Sequence, residues 1–305
     1  SDKALRINSE SKNTQYHPEL KLSSNIIASE KLEEIIPQSE IIFVATPSKI
    51  INDVLDRLTN FSMDNKMIIS CTKGINENPF MTMSETIEKH FNNSSIKVGV
   101  LSGPNLAKEI ADEKVAGTVI ASKHADLCHQ AREILSSSTF KIYTSDDIKG
   151  IELAGALKNI YAIISGYCHS LDVGENAIGL ILTRSMAEMS NFAVHKGANP
   201  ITFLGLAGMG DLVATCFSKL SRNYQFGWAI GKGLDIEAAK YKVGQVAEGL
   251  NTIRIIHNEI SSSEIKMPLV SGMHEILFNS GSKELLLEQI INSDIYVDVN
   301  FDVES

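Results

Sequence analysis

The sequence predicts an α/β domain over residues 1–146 joined to an all-α domain over residues 147–305. Three observations carry that division. Through the first 146 residues, short apolar β-rich runs alternate with helix-period segments, the pattern of a parallel sheet covered by helices. Loops bearing glycine, proline or serine follow several of those runs directly. Beyond residue 146 the β pattern stops and helical periodicity runs to the end.

The predicted strands are Ile41–Thr46, Met67–Ser70, Lys97–Leu101, Thr118–Ala121 and Phe140–Tyr143, with helices at 48–60, 82–91, 104–112 and 124–137 between and after them. In open parallel sheets ligands bind beyond the carboxyl ends of the strands. The loops Thr46-Pro47-Ser48, Thr72-Lys73-Gly74 and Ser102-Gly103-Pro104-Asn105 are therefore the expected ligand face, and the domain reads as Rossmann-like. A complete domain of that kind opens with a strand, a G-x-G-x-x-G turn and a helix. Here the first strand and the glycine-rich loop are expected to be missing, because Ser1 to Asn8 reads as helix just past a second strand. In the second domain, helices are predicted at 148–166, 176–196, 201–216, 223–231, 247–261, 269–278 and 284–292.

Bulk properties narrow the function classes. A net charge of −9 argues against a nucleic-acid binder or an acidic-membrane binder, so any anion site must be local. Cys71, Cys128, Cys168 and Cys216 are widely spaced with no C-x-x-C pair, which fits a reducing, cytoplasmic setting better than a disulfide framework. No run approaches the roughly 18 apolar residues of an integral membrane segment. His124, Cys128 and His129 fall at helical spacing without a fourth ligand, so no metal is expected there.

Three segments hold candidate chemistry. In Gly150-Ile151-Glu152-Leu153-Ala154-Gly155-Ala156-Leu157-Lys158-Asn159, small residues three and four positions before Lys158 leave room beside it on a helix. Lys158 is either a solvated surface charge or, within the apolar stretch from Ile151 to Ile164, a buried lysine that must be paired or functional. Asp211, after the glycine-rich run Gly205-Leu206-Ala207-Gly208-Met209-Gly210, is either a helix N-cap or a site carboxylate. Ser221-Arg222-Asn223 places a hydroxyl, a guanidinium and an amide in a row, suited to phosphate oxygens or simply forming a surface turn.

Together with Lys73-Gly74-Ile75, Ser102-Gly103-Pro104-Asn105-Leu106-Ala107-Lys108-Glu109 and Val246-Ala247-Glu248-Gly249, these segments reproduce in order the motif series of the bacterial NAD(P)-dependent glycerol-3-phosphate dehydrogenases. The chain resembles that family over roughly residues 13–275. The resemblance implies reversible reduction of dihydroxyacetone phosphate to sn-glycerol 3-phosphate with NAD or NADP, the preference left open, in the supply of glycerophospholipid synthesis. It implies a small phosphorylated substrate and a homodimer. It makes Lys158 the catalytic acid and base. Lys73, Gly103, Asn105, Lys158, Asp211, Ser221, Arg222 and Asn223 would bind substrate. Lys73, Ala107, Arg222, Val246 and Glu248 would bind cofactor. Within this reading, like-charge repulsion from Lys73 depresses the Lys158 pKa and Asp211 limits the depression.

The sequence departs from the family pattern at Asn105, where serine or threonine is usual, at His169-Ser170-Leu171-Asp172, which replaces Asp-Gly-Leu-Gly, and at Ile178, which replaces arginine. Two other readings remain open on the residues alone. One is a different reductase joining a dinucleotide-binding domain to a helical one, such as a hydroxyacid or ketopantoate reductase, since fold alone does not set substrate. The other is a truncated, non-catalytic nucleotide- or phosphate-binding protein, favoured by the missing loop that would hold a pyrophosphate.

Overall fold

The computed structural model describes residues 2–244, 247–282 and 285–291. They form two compact units. The sheet unit comprises 2–72, 83–101 and 105–148; the helical unit comprises 73–82, 102–104 and the described residues from 149 onward.

The sheet unit begins with helix α1 (Asp2–Glu10), as the opening residues predict, and continues into an unforeseen antiparallel hairpin, β1 (Lys12–Asn13) with β2 (His17–Lys21). A short helix α2 (Leu32–Ile35) precedes the main sheet. Its strands are β3 (Ile41–Val44), β4 (Met67–Ser70), β5 (Lys97–Ser102), β6 (Ala116–Ser122) and β7 (Phe140–Ser145), adjacent in that order, with β3/β4, β4/β5 and β6/β7 parallel. Between them lie α3 (Ile51–Leu58), α4 (Met83–His90), α5 (Ala107–Ala111) and α6 (Ala125–Leu135). β4 is buried along its whole length, as a central parallel strand covered on both faces must be. Each predicted strand is present. Helix 104–112 shrinks to five residues because Pro104 and Asn105 still belong to the turn leaving β5. Sheet-unit core residues such as Ile51, Leu55, Met83 and Ile87 come from α3 and α4.

The helical unit contains α7 (Ile148–Ser170), α8 (Glu175–His195), α9 (Asp211–Phe217), α10 (Arg222–Gly231), α11 (Ile236–Val243), α12 (Glu248–Ser261), α13 (Pro268–Phe278) and α14 (Leu285–Ile291). Helix α7 is buried on all sides from Gly150 to Cys168, which is why it lacks an amphipathic stripe. It outruns the predicted stop at Gly166, because that glycine sits inside the helix where a Cβ would fall 2.0 Å from the Tyr224 carbonyl oxygen. Gly227 fills the same role on α10, with a Cβ position 1.9 Å from the Ile163 oxygen. The helices thus meet backbone to backbone.

Two further departures have local causes. The predicted helix 201–216 is three pieces: a 3₁₀ turn at Pro200–Leu204, a π-helical turn at Leu206–Gly210, and α9. Gly205 is extended, and Gly208 packs where a Cβ would lie 2.2 Å from the Phe203 oxygen. Helix α11 was not predicted, although Asp235 caps its start by accepting from Ala238 N–H and Gly244 closes it in the left-handed conformation. Ile178, the replacement for a family arginine, is a core residue of α8. Among the described residues no helix is long and apolar enough to cross a membrane.

Candidate active site

Two short loops from the N-terminal half belong to the helical unit, and they bring Lys73 and Gly103 with them. Lys158 reaches the same place from the middle of α7, and Asp211 from the first turn of α9. Asp211 is 1% exposed and Lys158 6%. Both residues are thus interior, and the surface-charge reading of Lys158 fails. The N-cap reading of Asp211 fails too, since its side chain makes no cap bond and is spent on lysines.

One carboxylate bridges two ammonium groups. Lys158 Nζ donates to Asp211 Oδ1 at 2.6 Å, and Lys73 Nζ donates to Asp211 Oδ2 at 2.6 Å. Lys158 also donates to Thr215 Oγ1 at 2.7 Å, and Lys73 to the Gly103 carbonyl at 3.0 Å. The Thr215 hydroxyl in turn donates to Asp211 Oδ1 at 3.2 Å. An ammonium carries three N–H donors. Lys158 therefore has one left for a further acceptor.

Burial pulls the Lys158 pKa down to about 8, the Lys73 charge adds to that pull, and Asp211 opposes it. The expectation from sequence placed Lys73 first; burial is the larger cause, because the whole helix around Lys158 is packed. The room predicted beside the lysine is real. A Cβ on Gly155 would lie 2.5 Å from Ser102 Oγ and 3.7 Å from Lys73 Cγ, so the glycine lets both loops approach α7.

Ser221-Arg222-Asn223 is a helix start, not a loose turn. Ser221 caps α10, its Oγ accepting from Tyr224 N–H, while Arg222 is exposed at the first helical position. Asn223 is buried: its Nδ2 donates to Asn159 Oδ1 at 3.0 Å and its Oδ1 accepts from Gly249 N–H at 3.0 Å. That chain joins the neighbour of Lys158 to the first turn of α12. Glu248 opens α12, and Val246 lies outside the described residues.

In the sheet unit, Ala107 is exposed at the start of α5. Asn105 Nδ2 donates to Thr118 Oγ1 at 2.8 Å, so the donor capacity expected of it is partly used. Its Oδ1 and Thr46 Oγ1, each just past the carboxyl end of a strand, are buried and without a hydrogen-bond partner. Orphaned buried polar atoms are rare unless a ligand completes them. Their position, where parallel sheets take nucleotides, fits the NAD(P) cofactor.

Thr215 and Asn159 were not singled out from the sequence. Thr215 stands four residues after Asp211, one helical turn on the same face, and that spacing was the available signal.

A parallel-sheet unit with unmet polar atoms at its strand ends, together with a helical unit burying a lysine near neutral pKa, defines a nicotinamide-dependent oxidoreductase of two-domain type. The family models for the N-terminus and C-terminus of NAD-dependent glycerol-3-phosphate dehydrogenase match residues 1–128 and 147–288. Relatives named glycerol-3-phosphate dehydrogenase [NAD(P)+] from Alcanivorax borkumensis and Pseudomonas syringae are 43% and 44% identical over 98% of this chain and 86% of their own length. The crystal structure of glycerol-3-phosphate dehydrogenase from Coxiella burnetii superposes with a TM-score of 0.87 at 30% identity, covering 95% of this chain and 89% of that one. The chain belongs to the NAD(P)-dependent glycerol-3-phosphate dehydrogenase family. Of the readings open on the residues, membership selects the dehydrogenase over another reductase or a non-catalytic binder.

Proposed function

We propose that the chain interconverts dihydroxyacetone phosphate and sn-glycerol 3-phosphate, with Lys158 as the proton donor and acceptor. The observation that carries this reading is the spare N–H of Lys158, on a group poised at about 8 and held by Asp211 and Thr215. A general acid works best when its pKa lies near the working pH. NAD(P)H, when bound, supplies hydride to the substrate carbon. Lys158 donates its proton to the oxygen that gains negative charge, and in reverse the neutral amine removes the hydroxyl proton. Asp211 fixes the direction of the ammonium. Lys73 adds a second positive charge close to the reacting oxygen, and two ammonium groups against one carboxylate leave the centre electropositive for an oxyanion.

The substrate phosphate is assigned to the start of α10, where Arg222 is exposed at the first helical position and the helix N-terminus favours an anion. Ser221 and Asn223 are assigned to the same end, and Gly103 and Asn105 to the substrate by their match to the family's motifs. For the cofactor, Ala107, Lys73, Arg222, Val246 and Glu248 are assigned by their match to the family's motifs. A cytoplasmic home, in keeping with four free thiols, and a homodimer belong to the same reading.

Oxidation of NADH and of NADPH by the protein, with dihydroxyacetone phosphate and with unphosphorylated dihydroxyacetone, tests it. Turnover that requires the phosphate is expected, and the cofactor ratio gives the preference. Equal turnover on both ketones would remove the phosphate anchor, and no turnover on either would remove the reaction.

A further inference from the structure

Away from the lysine–aspartate centre, α12 and α13 carry a second group of side chains with ligating chemistry. His257 of α12 and His274 of α13 stack with ring centroids 3.7 Å apart and planes within 2°. Glu275 follows His274, and its Oε1 lies 3.9 Å from His274 Nδ1. That ring nitrogen is buried and makes no hydrogen bond. A buried imidazole nitrogen without a partner calls for an explanation. One ligand atom from each of the three residues lies within 4.8 Å of the other two.

We propose that His257, His274 and Glu275 form a binding site for a divalent transition-metal ion. Zinc bonds to nitrogen and carboxylate oxygen of roughly 2.0–2.2 Å in a tetrahedron put ligand atoms about 3.4 Å apart. The 3.9 Å pair is already close to that spacing, and Glu275 is exposed enough to rotate inward. The imidazoles must fan out of their parallel stack to aim two lone pairs at one point. Two imidazoles with one carboxylate suit zinc, copper or nickel, not magnesium or calcium.

The surroundings limit the site without closing it. Asn279 Nδ2 donates to Glu275 Oε1, which leaves acceptor capacity on the carboxylate. Arg254, one turn before His257, brings a positive charge that opposes the ion, but its guanidinium is drawn over the Phe278 ring. Three protein ligands leave a fourth position for water or a small anion. Bound metal ties α12 to α13 within the helical unit and satisfies the orphaned nitrogen.

Titration of the full chain with Co²⁺, read by its visible absorption, and competition by Zn²⁺ test the proposal. One saturable equivalent is expected, displaced by zinc and weakened on the order of 10- to 100-fold in each of His257→Gln, His274→Gln and Glu275→Gln. Glu275→Gln is a partly exposed isosteric change, so it keeps the test alive should a histidine variant fail to fold. His129→Gln, on the sheet unit, should bind as the parent does. Absence of saturable cobalt binding, or binding unchanged by all three ligand substitutions that fold, would overturn the site.

Discussion

The two units treat their buried polar groups in opposite ways. In the helical unit, Lys158, Asp211 and Thr215 are closed into a network before any ligand arrives, each bond between 2.6 and 3.2 Å. In the sheet unit, Thr46 Oγ1 and Asn105 Oδ1 are buried at strand ends with nothing to bond. The groups proposed to handle the proton are pre-organised, which would lower the reorganisation needed at the moment of reaction. The proposed nucleotide face keeps unmet polar atoms, so a bound cofactor should add to its stability.

The strongest way to break that contrast is to remove the centre of the finished network. Lys158→Ala should lower kcat by about 100- to 10,000-fold, since that is what a positioned general acid contributes. Steady-state kinetics with dihydroxyacetone phosphate checks it. Retention of a tenth of parental turnover would show that the proton comes from elsewhere.

Arg222→Lys should act on the other side of the comparison, at an exposed anchor instead of a closed network. KM for the phosphorylated ketone should rise about tenfold with kcat nearly kept, because a point charge replaces a bidentate fork. A larger fall in kcat than in affinity would place Arg222 in the transition state.

Smaller in size but sharper in content is the pH profile. In the proposed mechanism reduction needs the Lys158 ammonium, so its rate should fall as pH rises through about 8, and the reverse oxidation should rise through the same value. Asp211 raises that pKa, so Asp211→Asn should move both limbs to lower pH; Lys73 lowers it, so Lys73→Met should move them higher. Limbs that stay in place in both variants would detach the titration from this network.

The smallest effect concerns stability. Glu188 of α8 is buried, receives the Tyr161 hydroxyl at 3.0 Å and the Leu269 N–H at 2.7 Å, and is pushed up to about 8 by burial. A carboxyl raised in the folded state binds more protons there than in the unfolded chain. Its contribution is present below the ordinary carboxylate range and is lost as pH climbs toward 8. Thermal unfolding of the parent should therefore show a Tm that declines over that window, and Glu188→Gln should flatten the decline.

How much of this was legible beforehand follows from the range of the forces involved. Strand positions in the sheet unit were readable because apolar runs such as Ile68-Ile69 alternate with helix-period segments, a local signal. The broken segment around Gly205 and Gly208 was not, because the extended Gly205 and the close approach of Gly208 to the Phe203 backbone leave no mark in the helical periodicity. Lys158 and Asp211 could be proposed from motif order, and the burial of Lys158 was weighed from its apolar neighbours. That one carboxylate holds both lysines could not be, since it depends on segments 53 and 138 residues apart in sequence converging on one point.

That convergence bears on how the chain can be cut and recombined. A boundary drawn at residue 147, where helical periodicity begins, would leave Lys73 and the Gly103 carbonyl on the wrong fragment. A chimera that transplants the C-terminal half alone inherits Lys158 and Asp211 without the second ammonium that makes the centre electropositive. Grafts should therefore carry residues 73–82 and 102–104 along with the helices, as three separate inserts.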